Sequence, residues 1–144
     1  MLNSILVICS GNICRSPTGE RLLRQALPQL KVNSTGLCGM PGHPADSLAC
    51  EVAAAHGVDL DDHVASRFTP EMARDYSLLL VMERSHLGQL TAMAPEIRGK
   101  TMLFGQWLDS KEIPDPYRKS YAAFEYVYCL LELASQEWAK RLQK

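Results

Sequence analysis

The stretch Ile5-Leu6-Val7-Ile8-Cys9-Ser10-Gly11-Asn12-Ile13-Cys14-Arg15-Ser16-Pro17 lies near the start of the chain and joins two different sequence patterns. Residues 5–8 form a short, continuous apolar run that is mostly β-branched, typical of a strand buried on both faces of a parallel sheet. Pro17 is tolerated in a first helical turn, and apolar residues follow at helical spacing between Leu22 and Leu27. This stretch therefore predicts a strand, a loop and a helix.

The same alternation continues along the rest of the chain. Further strands are predicted at residues 31–34, 78–82 and 100–104, and further helices at residues 45–56, 85–93 and 121–142. Strands that alternate with helices imply right-handed crossovers and a parallel sheet covered on both sides. We expect an α/β fold, with one three-layer domain over residues 1–144 and a doubly wound four-stranded parallel sheet between helices.

Composition excludes several classes of protein. The chain has 144 residues, of which 47% are hydrophobic and 22% charged, and its formal charge is −1. These values are typical of one soluble domain, and the balanced charge offers no general attraction to nucleic acid or to an anionic membrane. We expect neither as a partner.

The sequence also indicates where in the cell the protein is located and whether its cysteines are reduced. The longest apolar runs, residues 5–9 and 78–82, are far shorter than the roughly 20 residues of a membrane span. The first residues carry no positive charge of the kind that begins a secretory signal. Five cysteines are an odd number without a disulfide framework, so we expect thiols in a reducing cytoplasm.

The loop from Cys9 to Ser16 has the residue types that bind a phosphate dianion. Backbone N–H groups at a helix N-terminus converge on an anion, and Gly11 lets the backbone approach it closely. Asn12 tolerates a left-handed conformation, and Arg15 can donate two parallel hydrogen bonds to phosphate oxygens. The same positive field favours the thiolate form of Cys9, which predicts a nucleophile. The alternative is a buried structural cysteine with Arg15 in a surface ion pair.

A second candidate lies in Ile113-Pro114-Asp115-Pro116-Tyr117. Two prolines stiffen an exposed turn and hold the Asp115 carboxyl group at a fixed position. A phenolate leaving phosphorus needs a proton, which a carboxylic acid can supply and later take back from water. The alternative is that Asp115 only caps a helix beginning near Arg118.

The segment from Val7 to Ser16 resembles the nucleophile loop of the low-molecular-weight protein tyrosine phosphatases, and residues 113–117 resemble that family's general-acid loop. The resemblance extends from end to end and includes residues 99–105, Gly-Lys-Thr-Met-Leu-Phe-Gly. It is strongest to the bacterial branch associated with exopolysaccharide and capsule assembly, whose partner is a membrane tyrosine autokinase. The resemblance thus implies a cytoplasmic phosphotyrosine protein phosphatase, and we expect a monomer.

The resemblance also assigns roles to single residues. It makes Cys9 the nucleophile, Arg15 the phosphate clamp and Asp115 the acid and then the base. Ser16 bonds the Cys9 sulfur and eases its departure from a phosphocysteine intermediate. The remaining assignments are the phosphate-binding loop (Cys9, Ser10, Gly11, Asn12, Ile13, Cys14, Arg15 and Ser16), its supports (Asn12, Ser16, Ser34 and His63) and the substrate slot (Met40 and Tyr117).

Cys14 is predicted to have a redox role. A loop curled around a phosphate brings Cys14 towards Cys9, so that peroxide would convert the two thiols to a reversible disulfide. The alternative is that Cys14 only packs beneath the loop. Cys38, Cys50 and Cys129 are expected to be inert, and His43, His56 and His86 to be surface or helix-end residues.

We expect no cofactor and no metal site, because the chain has no Cys-x-x-Cys or His-x-x-x-His pair. Two other functions remain as alternatives. A thioredoxin-coupled arsenate reductase shares the Cys-x5-Arg loop but relays oxidation through cysteines after the third strand, and this chain has none between residues 50 and 129. A binding module, either a phosphotyrosine reader without turnover or an adaptor that docks the kinase, would not need the nucleophile, arginine and acid together.

Overall fold

The computed structural model describes residues 2–38 and 40–143 and has a four-stranded parallel sheet at its centre. The strands are β1 (Ser4–Cys9), β2 (Lys31–Gly36), β3 (Leu78–Val81) and β4 (Thr101–Leu103), and their order across the sheet is β2-β1-β3-β4. Strands β1 and β3 are buried along their whole length, because helices cover the sheet on both faces.

Five α-helices and one 3-10 helix are described. They are α1 (Arg15–Ala26), α2 (Ser47–Ala55), α3 (Pro70–Ala73), α4 (Arg84–Met93), the 3-10 helix (Pro95–Lys100) and α5 (Tyr121–Leu142). Helices α1, α2 and α5 pack together on one face, and α4 packs with β3, β4 and the 3-10 helix. This architecture confirms the predicted single three-layer α/β domain.

Alternate side chains along the strands lie in two separate hydrophobic cores. Ile5 and Val7 of β1 lie in the larger core with α1 and α5, whereas Leu6 and Ile8 lie in the smaller core on the other face. Helix α5 is fixed over the larger core by Trp138, whose buried Nε1–H donates to the Phe104 carbonyl at 2.8 Å.

The predicted element positions agree with the structure to within about two residues at each boundary, the usual uncertainty of helix and strand ends. The closing helix spans the predicted residues 121–142. Helix α3 and the 3-10 helix were not predicted, because segments of four and six residues are too short to show helical periodicity.

The strand order places a crevice between β1 and β3. From β1 the chain crosses through α1 to β2 on one side, and from β3 it crosses through α4 to β4 on the other. The loops after β1 and β3 therefore diverge at the carboxyl edge of the sheet, the position where open α/β sheets bind ligands. The loop from Cys9 to Arg15 begins at this point.

Gly36, the last residue of β2, allows this loop to pass close to the neighbouring strand. A Cβ at Gly36 would lie 2.7 Å from the Ser10 carbonyl oxygen and 2.9 Å from the Asn12 nitrogen. Both are backbone atoms, which cannot rotate away as a side chain could. A glycine at this position is therefore required by close packing of backbone on backbone.

We predict that Gly36→Ala lowers the free energy of unfolding by about 1–3 kcal/mol, the usual cost of overpacking. The matched control is Gly88→Ala in α4, where a Cβ would meet no atom within 4 Å. That variant should gain about 0.5–1 kcal/mol, because alanine has the higher helix propensity. Urea denaturation measures both, and equal stability of the two variants would contradict the close approach.

Candidate active site

The loop between β1 and α1 turns its carbonyl groups outward. The Cys9 and Ser10 carbonyls accept from Leu37 N–H at 2.9 Å and Cys38 N–H at 3.0 Å, and the Ile13 carbonyl accepts from Asp46 N–H at 2.8 Å. In a trans peptide the next N–H points opposite to the carbonyl, so these contacts turn the following amides towards the centre of the loop. Converging amides form an anion-binding site.

The N-terminus of α1 contributes to the same site. Cys14 is its N-cap residue, no side chain caps the helix, and its first turn has no acidic residue. The first N–H groups of a helix lack partners within the helix and lie at the positive end of its dipole. The loop and the helix therefore present donors to one negatively charged group.

Asn12 has the left-handed backbone conformation expected of it, with φ of 60°, and is fully buried. Its Nδ2 donates to Ser16 Oγ at 2.7 Å and to Ser34 Oγ at 3.0 Å. Its carbonyl pairs with His63 Nε2 at 2.7 Å, and its Oδ1 accepts from the Ser66 N–H at 2.9 Å. The structure thus brings together all four residues that were assigned as supports of the loop.

The supporting contacts extend to a residue that the sequence analysis did not identify. Ser34 Oγ donates to Glu20 Oε1 at 2.7 Å, and Glu20 is 4% exposed. Arg21 Nε donates to the other oxygen of this carboxylate at 2.8 Å, and Arg24 lies 3.4 Å from it. The buried charge of Glu20 is therefore paired, as burial requires.

Cys9 is buried at the end of β1, and its sulfur lies 3.0 Å from Ser16 Oγ. Because Asn12 Nδ2 already donates to Ser16 Oγ, the hydroxyl hydrogen of Ser16 can point to the sulfur. This hydrogen bond stabilises negative charge on the sulfur, the form in which a thiol attacks and leaves.

Arg15 is buried rather than in a surface ion pair, with 1% of its surface exposed. Its Nη1 donates to a Glu83 carboxylate oxygen and, at 2.7 Å, to the Ile113 carbonyl. Its Nη2 lies 3.7 Å from Asp115 Oδ2. Both close contacts use Nη1, so the edge that carries Nε and Nη2 can donate two parallel hydrogen bonds to an oxyanion.

Asp115 lies beside Arg15 at the mouth of the crevice, although the two are 100 residues apart in the chain. Its side chain is 45% exposed, and Oδ1 accepts from the Tyr117 N–H at 3.0 Å. It does not cap a helix near Arg118, because α5 begins at Tyr121 and is capped by the Ser120 hydroxyl. The carboxyl group is therefore accessible to a ligand.

A cavity of about 210 Å³ opens above Cys9 and reaches the surface beside Asp115. Met40 and Tyr117, the two predicted slot residues, both line it, together with Ile13 and Cys38. These walls are mostly apolar side chains around a polar floor. Such a cavity fits a flat apolar group that carries an anion at its inner end.

Cys14 is buried in the larger core, and it also contributes to the cavity lining. Burial, the main cause, and the nearby Asp46 carboxylate raise the pKa of this thiol well above its usual range. The five cysteines of the chain are all free thiols. Cys38, which was expected to be inert, is exposed and lines the cavity.

His86, expected to be a surface or helix-end residue, lies at a helix end and not at the surface. The residue lies in the first turn of α4 but is only 2% exposed, because its ring fits between the end of β3 and the loop after β1. Glu83, the partner of Arg15, was also missed. Both follow the third strand, and their position at the carboxyl edge of the sheet was the available signal.

Among residues 2–38 and 40–143, no group of three or more histidine, cysteine, aspartate or glutamate side chains is placed to hold a metal ion. In the part of the chain that the structure describes, no helix combines the length and the apolar character that a membrane span requires.

Comparisons of the sequence and of the structure with known proteins indicate the same family. A profile described as low molecular weight phosphotyrosine protein phosphatase matches residues 4–144. The low molecular weight protein-tyrosine-phosphatase Etp of Escherichia coli K12 is 66% identical over 142 residues, which cover 99% of this chain and 96% of Etp.

Solved structures agree with this chain over nearly its full length. The crystal structure of the tyrosine phosphatase Wzb from Escherichia coli K30 in complex with sulphate has a TM-score of 0.98 at 60% identity, with 99% of each chain covered. Vibrio vulnificus Wzb in complex with benzylphosphonate has a TM-score of 0.96 at 50% identity, covering 99% of this chain and 100% of that one. The chain therefore belongs to the low molecular weight phosphotyrosine protein phosphatase family and is a cysteine-based, metal-independent protein-tyrosine-phosphatase.

Proposed function

We propose that this domain hydrolyses phosphotyrosine in proteins through a phosphocysteine on Cys9. The observation that carries the proposal is the convergence of Cys9, the Arg15 guanidinium and the Asp115 carboxyl group on one cavity. The amides of the loop and the Arg15 fork bind the three non-bridging oxygens of the phosphate, and Cys9 lies beneath phosphorus. Electrostatic stabilisation of this kind is usually the largest part of catalysis.

In the first step the Cys9 thiolate attacks phosphorus, and the bond to the tyrosine oxygen breaks. Asp115 gives its proton to the departing phenolate. In the second step Asp115 takes a proton from water, which attacks the phosphocysteine and releases inorganic phosphate. Ser16 donates to the sulfur as it leaves, which the 3.0 Å separation of the two side chains supports.

The shape of the cavity supports an aromatic phosphate ester as the substrate. Met40 and Tyr117 both line it, where they can pack against a phenyl ring. The shorter side chain of phosphoserine would leave phosphorus above the loop and out of reach of Cys9. Benzylphosphonate in the Vibrio vulnificus Wzb structure is likewise a tetrahedral anion attached to an aromatic group.

For the protein substrate we propose a membrane tyrosine autokinase of exopolysaccharide or capsule assembly, with the phosphatase acting in the cytoplasm as a monomeric domain spanning residues 1–144. The support is the full-length likeness to Etp and Wzb, together with the resemblance of the loops to that bacterial branch. Loss of phosphotyrosine from a purified, autophosphorylated kinase of this class tests the assignment.

The central experiment measures hydrolysis of an aryl phosphate by the wild type, Cys9→Ser and Arg15→Lys. Turnover should need no added metal and should survive chelators, because Cys9 and Arg15 supply the nucleophile and the positive charge. Cys9→Ser should fold and be inactive, and Arg15→Lys should lose most activity, because a point charge cannot reproduce the fork. Activity that required Mg²⁺ or Zn²⁺, or that survived in Cys9→Ser, would overturn the mechanism. Binding of phosphotyrosine without turnover would instead indicate a reader domain.

We predict that Asp115→Asn slows turnover according to the leaving group. The loss should be large for aryl phosphates whose phenols have a high pKa, because these leave only when protonated. It should be small for nitrophenyl esters, which leave as stable anions. The measurement is kcat across a series of substituted phenyl phosphates, and an equal loss for all members would refute acid catalysis.

We further predict that Cys14 protects Cys9 from irreversible oxidation. Peroxide converts the Cys9 thiolate to a sulfenic acid with release of hydroxide, and the Cys14 thiolate then displaces a second hydroxide to form a disulfide. Because burial raises the pKa of Cys14, this second step should accelerate as the pH rises.

The test is to oxidise the wild type and Cys14→Ser in parallel and then add dithiothreitol. The wild type should recover its activity, because the reductant reopens the disulfide. The variant should recover little, because its sulfenic acid is oxidised further. Equal recovery of both proteins would show that Cys14 only packs beneath the loop.

A further inference from the structure

The mechanism above does not use His86, a buried histidine behind the phosphate-binding loop. Its Nδ1 lies 3.3 Å from the main-chain nitrogens of both Met82 and Glu83, at the end of β3. Its Nε2 lies 3.1 Å from Ser10 Oγ, in the loop after β1. The ring therefore bridges the two loops that form the crevice.

The contacts determine which ring nitrogen carries the proton. A nitrogen that receives main-chain N–H groups offers its lone pair, so Nδ1 is unprotonated and Nε2 carries the hydrogen. The Nε2–H group consequently donates to Ser10 Oγ.

The surroundings of His86 favour this neutral ring. Burial and the nearby Arg15 guanidinium lower the pKa of His86. The carboxylates of Glu83, Asp115 and Glu112 act in the opposite direction. The effects of burial and of Arg15 are the larger ones, so the pKa of His86 is lowered. A neutral ring accepts a hydrogen bond at one nitrogen and donates one at the other, as the contacts require.

Ser10 is held at two points with different consequences. Its carbonyl accepts from the Cys38 N–H at 3.0 Å, which sets the direction of the Ser10–Gly11 peptide and hence of the Gly11 amide. Its hydroxyl is held by His86 from the opposite loop. The same junction supplies Glu83, which binds Arg15. The two ends of the phosphate-binding loop are thus positioned from one place, the start of α4.

We propose that His86 is a positioning residue for the phosphatase reaction, acting through its hydrogen bond to Ser10 to hold the Gly11 amide against the phosphoryl group in the transition state. The proposal rests on the proposed function, because it presumes that this loop binds the reacting phosphate. His86 is not one of the residues that line the cavity, so its effect on the reaction passes through Ser10.

Loss of the hydrogen bond between His86 and Ser10 should weaken binding of the transition state more than binding of the substrate. Expansion of phosphorus to five ligands pushes its equatorial oxygens towards the loop amides, so a misplaced Gly11 amide costs more in kcat than in KM. Vanadate, which adopts five-coordinate geometry, should lose affinity in parallel with kcat, whereas inorganic phosphate should lose little.

The experiment compares His86→Asn, His86→Gln and Ser10→Ala in aryl phosphate hydrolysis. An asparagine can still accept near the Nδ1 position but is too short to reach Ser10, whereas a glutamine can place its amide N–H near the Nε2 position. His86→Asn and Ser10→Ala should each lower kcat by about five- to tenfold, the value of one hydrogen bond. The double variant should lose no more than either single one, and His86→Gln should recover much of the loss.

The matched control is His56→Asn, the same substitution at an exposed histidine whose ring bonds Glu125 and lies outside the cavity. Its kcat should equal that of the wild type. Thermal unfolding of each variant shows whether the substitution affects the position of the loop or the stability of the fold. If His86→Asn does not fold, the kcat and vanadate affinity of Ser10→Ala still test the proposal.

Losses that multiply in the double variant would overturn the proposal, as would a lower Tm with unchanged kcat or equal losses for vanadate and phosphate. A wild type without aryl phosphatase activity, or an active Cys9→Ser, would instead refute the proposed function. The two failures are therefore distinguishable.

Discussion

The buried side chain of Asn12 is the contact on which the geometry of the site depends. Its amide bonds Ser16 and Ser34 and accepts from Ser66, while its own backbone adopts a conformation that few residues other than glycine tolerate. One side chain therefore connects the loop to α1, to β2 and to the segment before α3. Without these bonds the loop would lose its side-chain links to α1, β2 and the segment before α3, and an unpaired polar group buried there would be costly.

The second constraint is electrostatic. Arg15 is a buried cation, and removing such a charge from water is unfavourable unless partners compensate for it. Glu83 and the Ile113 carbonyl do so on one side of the guanidinium, and Asp115 approaches the other. The Ile113 contact also ties the chain next to Asp115 to Arg15. The contacts that compensate the charge of Arg15 thus also position Asp115, the proposed proton donor.

Much of this arrangement could be predicted from the sequence, because it depends on local patterns. Continuous apolar runs located β1 and β3, and the alternation of elements gave the parallel sheet and the edge where the site lies. The residues Cys9, Arg15 and Asp115 were found from loop composition. Glu20, Glu83 and His86 were missed for a common reason. Each contacts a partner that is not its neighbour in sequence, such as Ser10 for His86, 76 residues away, and spacing carries no information about such pairs. Gly36 was missed likewise, because only the packed backbone shows that a Cβ would not fit.

The proposed mechanism requires that phosphorus be transferred to the sulfur of Cys9. The most direct measurement is a rapid quench of the wild-type enzyme during turnover of an aryl phosphate, by denaturation at a pH where phosphocysteine persists, followed by peptide mass spectrometry. The proposed mechanism predicts one phosphoryl group on the peptide from the β1–α1 loop. This group is on Cys9, appears at the rate of phenol release and disappears as phosphate forms. A phosphoryl group on Ser10 or Ser16, or full turnover without any labelled peptide, would contradict it.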